Sequence, residues 1–151
     1  MRKWSGRLLP SAVAEVPLWV LDTNVLVSGL LSSVGPPARL VDAVLGQRLR
    51  LVLDDRIEEE YGRVLRRPKF AMDPVRLEAL MALFAWQERV TVGVRRGKRA
   101  LHEEDEKFME VAAVSRDRIL ISGNLRHFPV ACWGGVEVLS PLAGWRKLQG
   151  L

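Results

Sequence analysis

Leu18-Trp19-Val20-Leu21 is an unbroken apolar run, closed by Pro17 before it and by Asp22-Thr23-Asn24 after it. A strand with one wet face alternates apolar and polar residues. A strand covered on both faces is apolar throughout, as in a parallel sheet packed between helices. The run therefore predicts a doubly covered strand. Thr23 to Leu31 continues as a helix with Leu26, Leu30 and Leu31 on one side. A buried strand passing into a helix through polar residues is the unit of an α/β fold.

The alternation persists outward from this unit. Ser32 to Pro37 is a loop by composition, and Ala38 to Leu45 is a helix with the stripe Leu40, Val41, Val44 and Leu45. Leu49 to Leu53 predicts a second strand, ended by Asp54-Asp55. Ile57, Tyr61, Val64 and Leu65 then recur at helical spacing until Pro68. Pro74 to Trp86 reads as a helix, and the alternating Val90, Val92 and Val94 as a third strand before the basic stretch Arg95-Arg96-Gly97-Lys98-Arg99. Glu103 to Arg116 is a helix, Ile119-Leu120-Ile121 a fourth strand, Val136 to Leu139 a fifth, and a frayed or packed helix ends the chain. Such alternation implies right-handed crossovers and one mostly parallel sheet with helices on both sides.

The chain has 151 residues, 48% hydrophobic and 27% charged, which suits one packed domain and excludes a disordered or low-complexity segment. Residues 17–151 form that domain, and residues 1–16 read as a flexible arm: their short apolar stretch is broken by Pro10 and followed by Glu15. No apolar run approaches the ~20 residues that span a bilayer. A single cysteine, Cys132, allows no internal disulfide, which fits a reducing, cytoplasmic setting. The formal charge of +5 favours a polyanionic partner, nucleic acid first.

In open parallel sheets ligands bind beyond the carboxyl ends of the strands. Strand one ends in Asp22-Thr23-Asn24, strand two in Asp54-Asp55 and strand four in Ser122-Gly123-Asn124, with Glu58-Glu59-Glu60 and Glu103 to Glu106 at nearby helix starts. At about 100° per residue, the Ile57/Tyr61 stripe sends Glu59 to solvent and leaves Glu58 and Glu60 flanking it. The Phe108/Val111/Ala112 stripe sends Glu106 outward and keeps Glu104 and Asp105 near the buried face. Periodicity leaves the choice between these flanking acids open.

Leu21-Asp22-Thr23-Asn24-Val25-Leu26-Val27-Ser28 closely resembles the opening motif of PIN-domain nucleases. The resemblance continues in order through Glu60-Tyr61 with Val64-Leu65-Arg66-Arg67-Pro68-Lys69-Phe70, Asp105 three residues before Phe108, and Ile121-Ser122-Gly123-Asn124 with His127-Phe128-Pro129. It spans Leu18 to Pro141 and looks most like the toxin components of bacterial toxin–antitoxin pairs. It implies a three-layer α/β/α fold with a five-stranded sheet of order 3-2-1-4-5. It also implies an endoribonuclease whose Asp22, Glu60 and Asp105 hold Mg²⁺ or Mn²⁺ while Asn24 orients the first of them. The partners implied are an RNA substrate, a cognate antitoxin and a second copy in a homodimer. Hard divalent ions prefer such oxygen ligands and activate water for attack on phosphorus. The pattern departs at Asn124, where the family commonly has a fourth acid; an amide oxygen can support an ion but brings no charge. His102 likewise stands where relatives often have an aspartate.

Each of these residues also has a plain structural reading. Asp22 can cap the helix that follows it, Asp105 can sit at a helix start favoured by the dipole, Glu60 can be solvated, and Asn124 can be a turn residue. His127 reads as a loop histidine, and Arg63, Arg66, Arg67, Lys69 and the Arg95–Arg99 cluster as wet faces or as contacts to an RNA backbone. Asn124 motivates a second function, an inactive PIN-fold module that binds RNA or protein. A nucleotide-binding or phospho-receiver domain fits less well: no Gly-x-Gly-x-x-Gly or Walker-type loop follows strand one, and strand five has no terminal lysine.

Overall fold

The structure is a computed structural model and describes residues 16–93, 100–129 and 134–151. All but Val16 of the expected arm, together with Val94, the Arg95–Arg99 cluster and Cys132, lies outside the described residues. The elements are β1 (Leu18–Leu21), α1 (Thr23–Leu31), α2 (Pro36–Leu45), β2 (Arg50–Leu53), α3 (Asp55–Leu65), α4 (Pro74–Ala82), β3 (Glu88–Arg89), α5 (Glu106–Val114), β4 (Ile119–Ile121), β5 (Glu137–Leu139) and α6 (Pro141–Leu148). Among the described residues, single 3₁₀ turns cover Phe84–Trp86, Glu103–Asp105 and Leu125–His127.

The sheet runs β3-β2-β1-β4-β5 with every neighbour parallel. β1 is central, registering Leu18 with Arg50 on one side and Leu21 with Ile121 on the other. Helices flank the sheet to give the three α/β/α layers, and every residue of β1 is buried. β1 is anchored at its start by the Leu18 N–H, which donates to Asp117 Oδ2 over 2.9 Å.

Several boundaries differ from the sequence-based expectation, each for a local reason. The third strand is Glu88–Arg89 rather than Val90 onward, because its partner β2 turns into α3 after Leu53. Val90 keeps one ladder bond, to the Leu53 carbonyl at 3.0 Å, and Val90 and Val92 then pack partly buried against the core. The long helix expected to Trp86 stops at Ala82 because the buried Gln87 takes over two backbone groups. It donates to the Leu83 carbonyl over 2.9 Å and accepts from the Leu51 N–H over 2.6 Å. The helix expected to begin at Glu103 opens with a 3₁₀ turn, so α5 starts at Glu106. Its other end is closed early by Ser115, whose hydroxyl donates to the Ala112 carbonyl. α2 begins earlier than expected, at Pro36, preceded by Gly35 at φ 96°, a backbone angle that favours glycine. The chain's last helix is packed rather than frayed: Ser140 caps it through the Ala143 N–H, and Gly144 presses on Ile121.

Candidate functional site at the carboxyl end of the sheet

Asp22 follows the last residue of β1, and its N–H donates to the Ile121 carbonyl of β4 at 2.8 Å. It stands at the N-cap position of α1 but makes no capping bond with its side chain. Instead Oδ2 accepts from the Ser122 hydroxyl at 2.8 Å. Asp22 is 7% exposed and Ser122 fully buried, so this carboxylate lies beneath the surface at the seam of β1 and β4.

Two side chains from α3 bring the next acid to this seam. The Tyr61 hydroxyl, fully buried, donates to the Leu21 carbonyl, which precedes Asp22 directly. Glu60 accepts from the hydroxyl of Thr23, the residue after Asp22. Its other oxygen, Oε1, lies 2.7 Å from the Lys107 ammonium of α5. Asp105, in the 3₁₀ turn before α5, pairs through Oδ2 with His127 Nδ1 at 3.0 Å, and the His127 ring meets His102 edge-on at 4.5 Å.

Electrostatics tie the three carboxylates together. Burial pushes the Asp22 carboxyl up to about 6. The Ser122 hydroxyl opposes the rise, the negative charges of Asp105 and Glu60 add to it, and the Thr23 N–H opposes it again. Asp105 is also raised, by burial first, with His127 pulling the other way. Burial, followed by the charges of Asp22 and Glu60, keeps Tyr61 protonated far above neutral pH.

The remaining candidates fall elsewhere. Glu58 points toward β3, where it pairs with Arg89, and Glu59 pairs with Arg63 at the surface. Asn24 meets the β4 turn, its Oδ1 3.4 Å from the Gly123 N–H. Asn124 starts the 3₁₀ turn at φ −122°, not in a left-handed conformation; its N–H donates to the Ser122 hydroxyl. The expectation for Glu106 and Glu104 is overturned. Glu106 is buried and accepts from the Ala100 N–H, whereas Glu104 is exposed. α5 is covered on more than the one side its stripe suggests, since Ala100 packs against it and Met109 and Glu110 are buried as well. Glu110 pairs with Arg56 at 2.8 Å.

Ser122, Thr23 and Lys107 were not singled out by spacing, although each touches one of the carboxylates. A hydroxyl just after a strand end, and a lysine in the first turn of a helix, are the only signals the sequence carries for them. A cavity of about 480 Å³ opens beside Glu60, lined also by Asp55, Arg56, Glu59, Arg63 and Lys107.

Among the described residues, no three of His, Cys, Asp and Glu are arranged to enclose a metal ion. The reason is visible at Glu60 and Asp105, whose oxygens are turned to Thr23, Lys107 and His127. The chemistry of the donors nevertheless suits a hard divalent cation. All three are carboxylates, and a cation bound among them would offset both the burial that chiefly raises Asp22 and the smaller repulsion from Asp105 and Glu60.

The sequence model described as PIN domain matches residues 19–126, well over half of the chain. Neither a curated protein nor a solved structure matches. Among the described residues no helix is long and apolar enough to cross a membrane.

Proposed function

Because this chain belongs to the PIN domain family, whose fold is that of nucleases and generally works with divalent metal ions, we propose that it is an Mg²⁺- or Mn²⁺-dependent endoribonuclease whose ion is held by Asp22, Glu60 and Asp105. The observation that carries this reading is the bond from Thr23 to Glu60, which brings an acid of α3 to the residue beside Asp22. When bound, the ion supplies Lewis-acid activation of water and neutralises charge on the scissile phosphate.

The chain's own side chains position the donors. Ser122 holds Asp22, Thr23 holds Glu60 with Tyr61 fixing the adjacent strand end, and His127 holds Asp105. Asn24 and Asn124 support from the β4 side, Asn24 by bracing the Gly123 turn. Arg63 and Lys107, on the wall of the neighbouring cavity, favour the approach of a phosphodiester backbone. On the same resemblance the protein is the toxin of a toxin–antitoxin pair, a cytoplasmic homodimer restrained by a protein antitoxin. Growth arrest on expression, relieved by the product of the adjacent reading frame, is the outcome that role requires.

The test of the chemistry is cleavage of single-stranded RNA with Mn²⁺ or Mg²⁺. EDTA stops it and Asp22→Asn abolishes it. Undiminished cleavage by a clean preparation of Asp22→Asn contradicts the reading. Asn124 favours a second reading, a module that binds RNA without cutting it, because its uncharged amide side chain stands where the resemblance has a fourth acid. That reading requires RNA binding without turnover in either metal.

A further inference from the structure

Both carboxylate oxygens of Glu60 are taken by the chain itself. Oε2 accepts from the Thr23 hydroxyl, and Oε1 lies 2.7 Å from Lys107 Nζ. Lys107 is fixed by more than this pair. Its ammonium donates to the Glu104 carbonyl over 2.6 Å and lies 5.1 Å from the Phe108 ring centroid, and its side chain is only 16% exposed. Glu60 is equally sheltered at 17%. In so little water two cations in contact with one carboxylate repel strongly, since screening that weakens surface charges is reduced here.

Resting on the reading that Glu60 is an ion ligand, we propose that Lys107 is the resident counter-ion of this site and competes with the divalent ion for Glu60. Ion binding and the release of Lys107 from Glu60 are then one coupled event. Lys107 thus sets the ion affinity without itself being a ligand. It acts as a positioning residue, keeping Glu60 beside Thr23 until an ion arrives.

Mn²⁺ titration by calorimetry tests this, on EDTA-treated wild type, Lys107→Met, Lys107→Arg and Arg63→Met, each checked for cooperative unfolding. Lys107→Met keeps an apolar stem beside Phe108 and removes the charge; Lys107→Gln serves if that variant does not fold. Removing a sheltered competitor should tighten Mn²⁺ binding about tenfold, while Lys107→Arg stays near wild type. Arg63→Met removes the same charge from the same cavity wall, but Arg63 pairs with the exposed Glu59, so its effect should be about twofold or less. Unchanged or weaker binding in Lys107→Met, or an equal gain in Arg63→Met, overturns the proposal. Failure of the parent reading looks different: Asp22→Asn then binds Mn²⁺ as wild type does, or no variant binds it, and the proposal falls with it.

Discussion

The hydroxyl of Ser122 donates to Asp22 Oδ2 at 2.8 Å, joining two residues 100 positions apart at the ends of adjacent strands. The bond stabilises the charged form of a carboxylate that burial otherwise disfavours. Ser122→Ala should therefore cost about 1–2 kcal/mol of folding stability where Asp22 is ionised, and less where it is protonated. Urea unfolding at about pH 8 and about pH 5 checks this; equal losses at both would show that the hydroxyl does not act on the charge.

Asp22 itself makes the EDTA-treated protein less stable at high pH. Its carboxyl stands at about 6 in the fold against an ordinary 3.8, so the folded state binds the proton more tightly than the unfolded one. The contribution is complete below 3.8 and lost as pH rises through about 6. The loss is of order 3 kcal/mol at most, at about 1.4 kcal/mol for each tenfold change in proton affinity. Asp22→Asn should flatten this dependence and melt higher than wild type at about pH 8. A variant that melts no higher than wild type at any pH would contradict the burial argument.

Asp117 has the opposite sign. Burial raises its carboxyl, but Arg116 and the Leu18 N–H outweigh it and hold it below the usual carboxylate range. Its stabilisation is present above the ordinary aspartate value and lost as pH falls through the lowered one. Asp117→Ala removes the acceptor that anchors the start of β1 and should cost about 1–2 kcal/mol at neutral pH. Chemical denaturation of both proteins at neutral pH is the check, and a loss within error of zero would refute it.

Gly29 sits where α1 crosses α2, and a methyl group there would come within 2.5 Å of the Pro37 carbonyl oxygen and collide with Val41. Helix propensity alone favours alanine at such a position. Overpacking should prevail, so that Gly29→Ala lowers stability by about 1–3 kcal/mol. A higher Tm in the variant would mean that the two helices separate readily.

What could be read from the sequence followed from chemistry that one segment carries by itself. Leu18–Leu21 and Ile119–Ile121 are apolar throughout, and both proved to be inner strands of the parallel sheet. The third strand was misplaced because the alternation of Val90 and Val92 records partial burial, not a partner; the available partner ends at Leu53. Glu106 was misplaced for a related reason, since a single helical stripe cannot reveal that Ala100 folds over another side of α5. Asp22 was legible as an acid at a strand end, but periodicity left Glu58 open beside Glu60 and Glu104 beside Asp105, and only the family resemblance chose between them. The partners Ser122, Thr23 and Lys107 were not legible, because each bond joins elements whose contact exists only after folding.

The proposed function requires three acids from three separate elements to act as one ligand set for a divalent ion. Calorimetric titration of EDTA-treated protein with Mn²⁺ tests it most directly, comparing wild type with Asp22→Asn, Glu60→Gln, Asp105→Asn and Glu58→Gln. Removing any of the first three charges should weaken binding at least about tenfold, whereas Glu58→Gln, whose partner is Arg89, should stay within about twofold. Wild-type affinity in Asp22→Asn, or a loss in Glu58→Gln with none in Glu60→Gln, would contradict it.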